Sequence, residues 1–261
     1  MQITIGQFFP GNSVLHRLDP RTKILLTVAL IVAVFLADSP LAYAALFAFV
    51  FAAIGLSKIG PKYVLKGLKP ILYIVILTFV INLFFTSDGR VLLGWKFIHV
   101  TDKGLASAAS MALRLVLLVM VTQLLTLTTS SIALTDGMES LLKPLAKIGF
   151  PAHDLAMMMS IAMRFIPTLM EETDKIMKAQ AARGADFETG SLIHRAKAML
   201  PLLVPLFVSA FRRADELAMA MEARCYQGGK NRTRMKKLSF SRLDGLAALC
   251  TAGLIALVVI L

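Results

Sequence analysis

The stretch AMMMSIAMRFIPTLMEETDKIMKAQAARGAD, residues 156–186, decides how the rest of the chain is read, because a second stretch answers it. That second stretch is PLLVPLFVSAFRRADELAMAMEARCYQGG, residues 201–229. Moved forward by 41 positions, Asp174 falls on Asp215, Ile176 on Leu217, Ala179 on Ala220, Ala182 on Ala223 and Arg183 on Arg224. Each stretch starts apolar, gains charge midway and ends on Ala-Arg followed by a small residue. Both read as long helices. A helix of about 30 residues reaches about 45 Å at 1.5 Å per residue. Each helix is therefore long enough to begin in or against a bilayer and hold its arginine well away from it.

Composition sets the surroundings. Of 261 residues, 57% are hydrophobic and only 17% charged, and the mean hydropathy is +0.73. A soluble domain of this length carries more charge and fewer long apolar runs. The chain reads as an all-α, polytopic helical membrane protein. Its formal net charge of +12 fits the gathering of Lys and Arg in cytoplasmic loops and beside anionic headgroups. Nucleic acid is the poorer explanation, because no basic patch is interleaved with aromatic residues. The two cysteines, Cys225 and Cys250, lack a metal-ligand spacing, and their positions disfavour a disulfide. The N-terminus lacks the basic-then-apolar order of a cleaved signal peptide.

Five apolar runs follow in order: residues 24–37, 41–56, 71–85, 105–128 and 244–261. Asp19 is placed to cap the first, with Pro20 at its first position, where a missing N–H costs nothing. The run is short for a span unless residues 20–23 add length. Lys58, Lys62, Lys66 and Lys69 form one basic face of a short interfacial helix before the third run. Asn82 is expected to find an interhelical hydrogen bond. Residues 87–103 read as a polar connection. Small residues at 106–110 permit close packing in the fourth run. Arg114 lies inside that run, where it is a functional candidate by default; snorkelling or pairing with a carbonyl are the structural alternatives. Residues 129–136 read as a loop, 137–148 as a short amphipathic helix broken by Pro144, and 194–198 as a basic connector. The run KNRTRMKK, 230–237, faces headgroups.

The expected domains are a membrane region of four helices over 1–128, a cytoplasmic coupling domain over 129–242, and a last membrane helix over 243–261. With the N-terminus in the cytosol and the C-terminus outside, the outer segments hold only Arg90, Lys96 and Lys103, offset by Asp88 and Asp102. The opposite orientation exports nearly all the positive charge.

No enzyme constellation stands out. The histidines, His16, His99, His153 and His194, are scattered, and no HExxH, CxxC, GxSxG or P-loop occurs. Glu171, Glu172 and Asp174 read as a solvated helix face. Arg183 alone reads as a cation complementing a helix C-terminus, with Gly184 as the residue that ends the helix. Two matching ends point beyond capping, since termination does not need Ala before Arg twice. Guanidinium is suited to planar, bidentate capture of carboxylates. Met157, Met158, Met159, Met163 and Met170, with Phe165, crowd the first helix, and Met199, Met219 and Met221 the second. A core stripe is one reading of them; an adaptable surface for several partners is the other.

With these residues on the page, the chain resembles the transmembrane T component (EcfT) of energy-coupling factor (ECF) transporters, importers of vitamins and other micronutrients. The resemblance rests on LDPRTK at 18–23, SIAMRFIPTLMEE at 160–172, KAQAARGAD at 178–186 and AMEARCY at 220–226, and covers essentially the whole chain. It implies two long crossing coupling helices whose tips sit in grooves of two ABC-type ATPase subunits. Ala182, Arg183 and Gly184 would dock one ATPase, and Ala223, Arg224 and Cys225 the other. The platform of Met157, Met158, Met159, Met163, Phe165 and Met170 would hold an exchangeable membrane S component. The chain itself would be no enzyme and bind no cofactor, with ATP and Mg held by the partner subunits and the lipid bilayer around it. The family more often has Gly where this chain has Cys225. Cys tolerates left-handed geometry poorly, so the second helix is expected to run on to Gly228-Gly229. The rivals are a T component dedicated to one cobalt, nickel or biotin system, and a membrane lipid-modifying enzyme using the basic face at 58–69.

Overall fold

A computed structural model describes residues 8–85, 91–95, 98–187, 189, 191–228 and 238–261. The basic run 230–237 lies outside the described residues. The described chain is almost entirely helical: α1 (Val14–Arg17), α2 (Pro20–Leu36), α3 (Pro40–Ser57), α4 (Pro61–Phe85), α5 (Asp102–Thr128), α6 (Ser131–Leu142), α7 (Ala152–Ala182), α8 (Leu192–Ala223) and α9 (Arg242–Ile260). A short antiparallel hairpin, β1 (Val91–Trp95) and β2 (Ile98–Thr101), pairs Val91 with Thr101 and Trp95 with Ile98. Part of the polar connection expected over 87–103 is therefore strand. The chain divides into two compact units. One runs through Leu141 and takes in α9; the other starts at Leu142 and contains α7 and α8.

Local chemistry sets the helix starts of the first unit. The Asp19 carboxylate accepts from the Arg21 N–H at 2.9 Å, with Pro20 in the first turn of α2. The Ser39 hydroxyl accepts from Ala42 N–H at 3.1 Å, with Pro40 opening α3. Thr101 caps α5 by accepting from Gly104 N–H at 3.1 Å. Helix α9 starts in a capping box: Ser241 accepts from the helix backbone, and Asp244 accepts from Ser241 N–H at 2.7 Å. Each satisfies an N–H that the helix cannot.

Helix α5 is central and packs on α2, α3 and α4, while α9 packs on α2 and α3. The core between them holds Val34 and Ala33 of α2, Leu46 and Val50 of α3, Leu117 and Val121 of α5, and Val258 of α9. α3, α4, α5 and α9 are long and apolar enough to cross a membrane. α2 has 17 residues, about 26 Å at 1.5 Å per residue, and draws its first turn from Pro20–Lys23 as its short apolar run requires.

Several local expectations change. α4 runs without interruption from Pro61 through Pro70 to Phe85, so no separate interfacial helix precedes the third apolar run. Lys62, Lys66 and Lys69 are exposed on its first turns, while Lys58 ends α3 at φ 55°. Pro70 lies in the interior of α4, where it removes the N–H that would bond the Lys66 carbonyl, and the helix continues through it. The Asn82 amide donates to the Thr78 carbonyl of its own helix at 2.9 Å, and the expected interhelical bond gives way to this local one. α6 begins at Ser131, inside the expected loop, where Ser130 accepts from Ala133 N–H at 3.3 Å. A 3-10 turn over Lys143–Ile148 follows it, with Pro144 in its first turn. The connector at 194–198 is the opening of α8.

Arg114 pairs with a carbonyl, one of its two structural alternatives. Its Nη2 donates to the Ala37 carbonyl at the end of α2 at 3.2 Å, and its guanidinium lies 5.6 Å from the Phe35 ring centroid. Lys23 makes the converse contact: its Nζ donates to the Thr128 carbonyl, the last of α5, at 3.0 Å. α2 and α5 thus run antiparallel, each supplying a cation to the other's C-terminal carbonyls, where the helix dipole favours positive charge.

Candidate functional site

The second unit is built on α7 and α8, of 31 and 32 residues. Both are amphipathic, and both run through internal prolines, Pro167 in α7 and Pro201 and Pro205 in α8. Each proline removes one i→i−4 bond, so these helices owe their length to neighbouring turns and to packing. α7 packs on α8 far more sparingly than α4 packs on α5.

One charged contact joins them. Arg213 Nη2 donates to Glu172 Oε2 at 2.6 Å, and the two residues are 41 positions apart. That is the offset that superimposes the two halves of the sequence. The Arg213 hydrogen bond holds the Glu172 carboxyl below the usual carboxylate range, against the opposing effect of partial desolvation. From Glu172 to Arg183 and from Arg213 to Arg224 the chain advances 11 residues in each helix, about 16 Å at 1.5 Å per residue. The arms beyond the contact are equal.

The arm ends share one geometry. In α7, Gly184 N–H bonds the Ala181 carbonyl at 3.0 Å and Ala185 N–H bonds the Gln180 carbonyl at 3.0 Å. In α8, Cys225 N–H bonds the Glu222 carbonyl at 2.8 Å and Tyr226 N–H bonds the Met221 carbonyl at 3.0 Å. Both are Schellman motifs with the arginine at the C-cap and the next residue left-handed. Gly184 has φ 91° and Cys225 φ 54°. The expected continuation of α8 to Gly228-Gly229 does not occur. Cys225 takes the left-handed conformation because two orphan carbonyls gain partners there, which offsets the Cβ penalty. Ala182, Arg183, Gly184, Ala223, Arg224 and Cys225 are all exposed.

The methionine cluster divides. Met158 and Met159 are exposed, at 55% and 38%, while Met157, Met163, Phe165 and Met170 are half-buried. A larger apolar surface lies on α8, where Leu200, Val204, Phe207, Val208 and Phe211 are exposed. The sequence reading missed it. Its signal in the sequence is apolar residues three and four apart, a pattern shared with any core stripe. Among the described residues no group of His, Cys, Asp or Glu is placed to hold a metal, and both cysteines are free and exposed.

The arrangement offers two exposed guanidinium groups at the ends of equal arms, each with a fork of N–H donors for a carboxylate. Comparison with known proteins agrees in family. Residues 11–235 match the family model CbiQ, described as cobalt transport protein. The chain is 59% identical over 255 residues to a protein of Thermosediminibacter oceani, covering 98% of this chain and 96% of that one. It is 56% identical over 259 residues to one of Acidaminococcus fermentans, covering 99% and 96%, and 58% identical over 256 residues to one of Clostridium kluyveri, covering 98% and 95%. All three are named energy-coupling factor transporter transmembrane protein EcfT. With paired Ala-Arg helix ends, a bundle of apolar helices and relatives matched along almost their whole length, the chain belongs to the EcfT family, the multi-pass transmembrane T components of ECF transporters.

Proposed function

We propose that the chain is the coupling scaffold of an ECF-type importer, linking two ABC-type ATPase subunits to an exchangeable substrate-binding S component for uptake of a vitamin or other micronutrient. ATP and Mg are bound by the ATPases, and the chain catalyses nothing itself. The observation that carries the reading is the identity of the two arm ends: the same cap, arginine and exposure, 41 residues apart, at equal distance from the Glu172–Arg213 contact. Two similar ends call for two similar partners. Ala182 and Ala223 let a groove close around each tip, and Arg183 and Arg224 each meet a carboxylate in it. Met157, Met158, Met159, Met163, Phe165 and Met170 form the surface over which the S component exchanges, extended by the apolar stripe of α8. The N-terminus lies in the cytosol and the C-terminus outside, as the distribution of Lys and Arg requires.

Affinity purification of the full chain from its own membranes, with mass spectrometry of what accompanies it, tests this. Two ATPase subunits and several different small membrane proteins are expected. Absence of any ATPase overturns the reading. A second reading, a T component dedicated to one system, is favoured by the description of the matched family model as cobalt transport protein; a single accompanying S component would establish it.

A further inference from the structure

The segment LDPRTK reads as a capped helix start, and in the structure its residues also contact α1, the end of α5, α6 and the start of α9. Lys23 is 8% exposed, and its Nζ donates to the Thr128 carbonyl at 3.0 Å and the His16 carbonyl at 3.3 Å. Thr128 is where the chain leaves α5. Just beyond, α6 lies against the same segment: a Cβ on Gly137 would meet Pro20 Cβ at 3.0 Å and the Pro20 backbone at 3.2 Å. On the returning side, Asp19 N–H donates to Asp244 Oδ1 at 2.8 Å, while Asp244 Oδ2 accepts from Ser241 N–H at 2.7 Å. The Arg21 guanidinium lies 5.4 Å from the centroid of the Phe240 ring. Asp19, 6% exposed, and Asp244, 4% exposed, are both buried.

We infer that residues 19–23 form a clamp that grips both the chain leaving the membrane unit, at Thr128 and Gly137, and the chain returning to it, at Phe240 and Asp244. Rooting the arms in lipid, on the function proposed above, requires that the two strands carrying them do not yield when pulled. One segment holding both meets that need. The Asp19–Asp244 bond joins groups 225 positions apart, so it ties together what the intervening chain would otherwise leave independent. Lys23 acts as a positioning residue: its ammonium bridges the Thr128 carbonyl at the end of α5 and the His16 carbonyl of α1.

Amide hydrogen exchange on the full chain in detergent tests the clamp without partners. In Lys23→Met, exchange over 128–142 is expected to rise at least tenfold, with 238–244 rising alongside and α7 and α8 unchanged. Lys23→Arg, which keeps the donors, should restore most protection. Arg21→Ala, a milder change, should loosen only 238–244. Loosening of one side alone in Lys23→Met, or of the whole chain equally in every variant, overturns the inference. The second arm uses the complex assembled with its ATPases. ATP is expected to change exchange at the starts of α2 and α9 in the wild type and only in α7 and α8 in Lys23→Met; an identical spread in both overturns the clamp. Failure of the wild-type complex to assemble counts against the proposed function and leaves the detergent result to decide the clamp.

Discussion

Arg213 of α8 donates to Glu172 of α7 at 2.6 Å, and each is the counterpart of the other under the 41-residue shift that relates the two helices. Counterparts meet where two similar helices come together in matching register, and this contact is the pivot from which the two equal arms are measured. Acidification probes it. The Glu172 carboxyl is held low by Arg213, so the folded state favours the ionised form. Its contribution is complete above the carboxyl's unfolded value and is lost as pH falls through the lower, folded value. Exchange protection of α7 and α8 near the pivot should therefore hold through mildly acidic solution and decline only as pH falls below the ordinary carboxyl value of 4.5. Glu172→Gln should remove that pH dependence; an unchanged profile in the variant means the pair is decorative.

The arm ends allow a double test. Arg183→Glu combined with Arg224→Glu is expected to abolish copurification of the ATPases while membrane insertion persists. Either change alone should be milder, because the other tip still holds. A full complex recovered from the double variant removes the docking proposal.

Cys225 and Gly184 occupy the same position of the same motif but carry opposite predictions. A side chain at left-handed φ costs roughly 1–2 kcal/mol. Cys225→Gly should stabilise the second unit by about 1 kcal/mol in denaturant or thermal unfolding. Gly184→Ala should destabilise it by a similar amount through backbone strain alone, since a Cβ there meets nothing within 4 Å. Matching signs for the two changes would show that the caps are not equivalent.

Arg114 separates structure from function. Arg114→Met leaves the Ala37 carbonyl without its charged donor, and a loss of about 1.5–3 kcal/mol is expected. Arg114→Lys should recover part of it. ATPase copurification should stay intact in every Arg114 variant that folds; loss of partners from a variant of normal stability would mark the arginine as functional.

Two glycines rank by what faces them. A Cβ on Gly67 would come within 2.4 Å of the Gln123 side-chain amide, which can swing aside, whereas one on Gly137 meets the ring and backbone of Pro20. Gly137→Ala should therefore lower the thermal midpoint more than Gly67→Ala, by roughly 1–3 kcal/mol of overpacking against a near-neutral change. The reverse order would mean that α6 moves more freely than Gln123.

By itself the sequence determined the class of the protein and its internal duplication. Apolar runs separated by polar breaks leave few alternatives to a helical membrane bundle, and a 41-residue repeat ending in Ala-Arg is visible as letters. Local signals at α2 were equally legible, because Asp19 and Pro20 act within one turn. Tertiary structure alone decided what those letters touch. The continuity of α4 past Pro70, the inward bond of Asn82 and the left-handed Cys225 each turned on a neighbour a few residues away whose geometry composition does not specify. The Arg114–Ala37, Lys23–Thr128 and Asp19–Asp244 contacts join residues 77, 105 and 225 positions apart. Such partners are chosen by packing: once helices run side by side, a buried cation or carboxylate must find whichever opposite group lies within about 3 Å. No periodicity along the chain records which one that is.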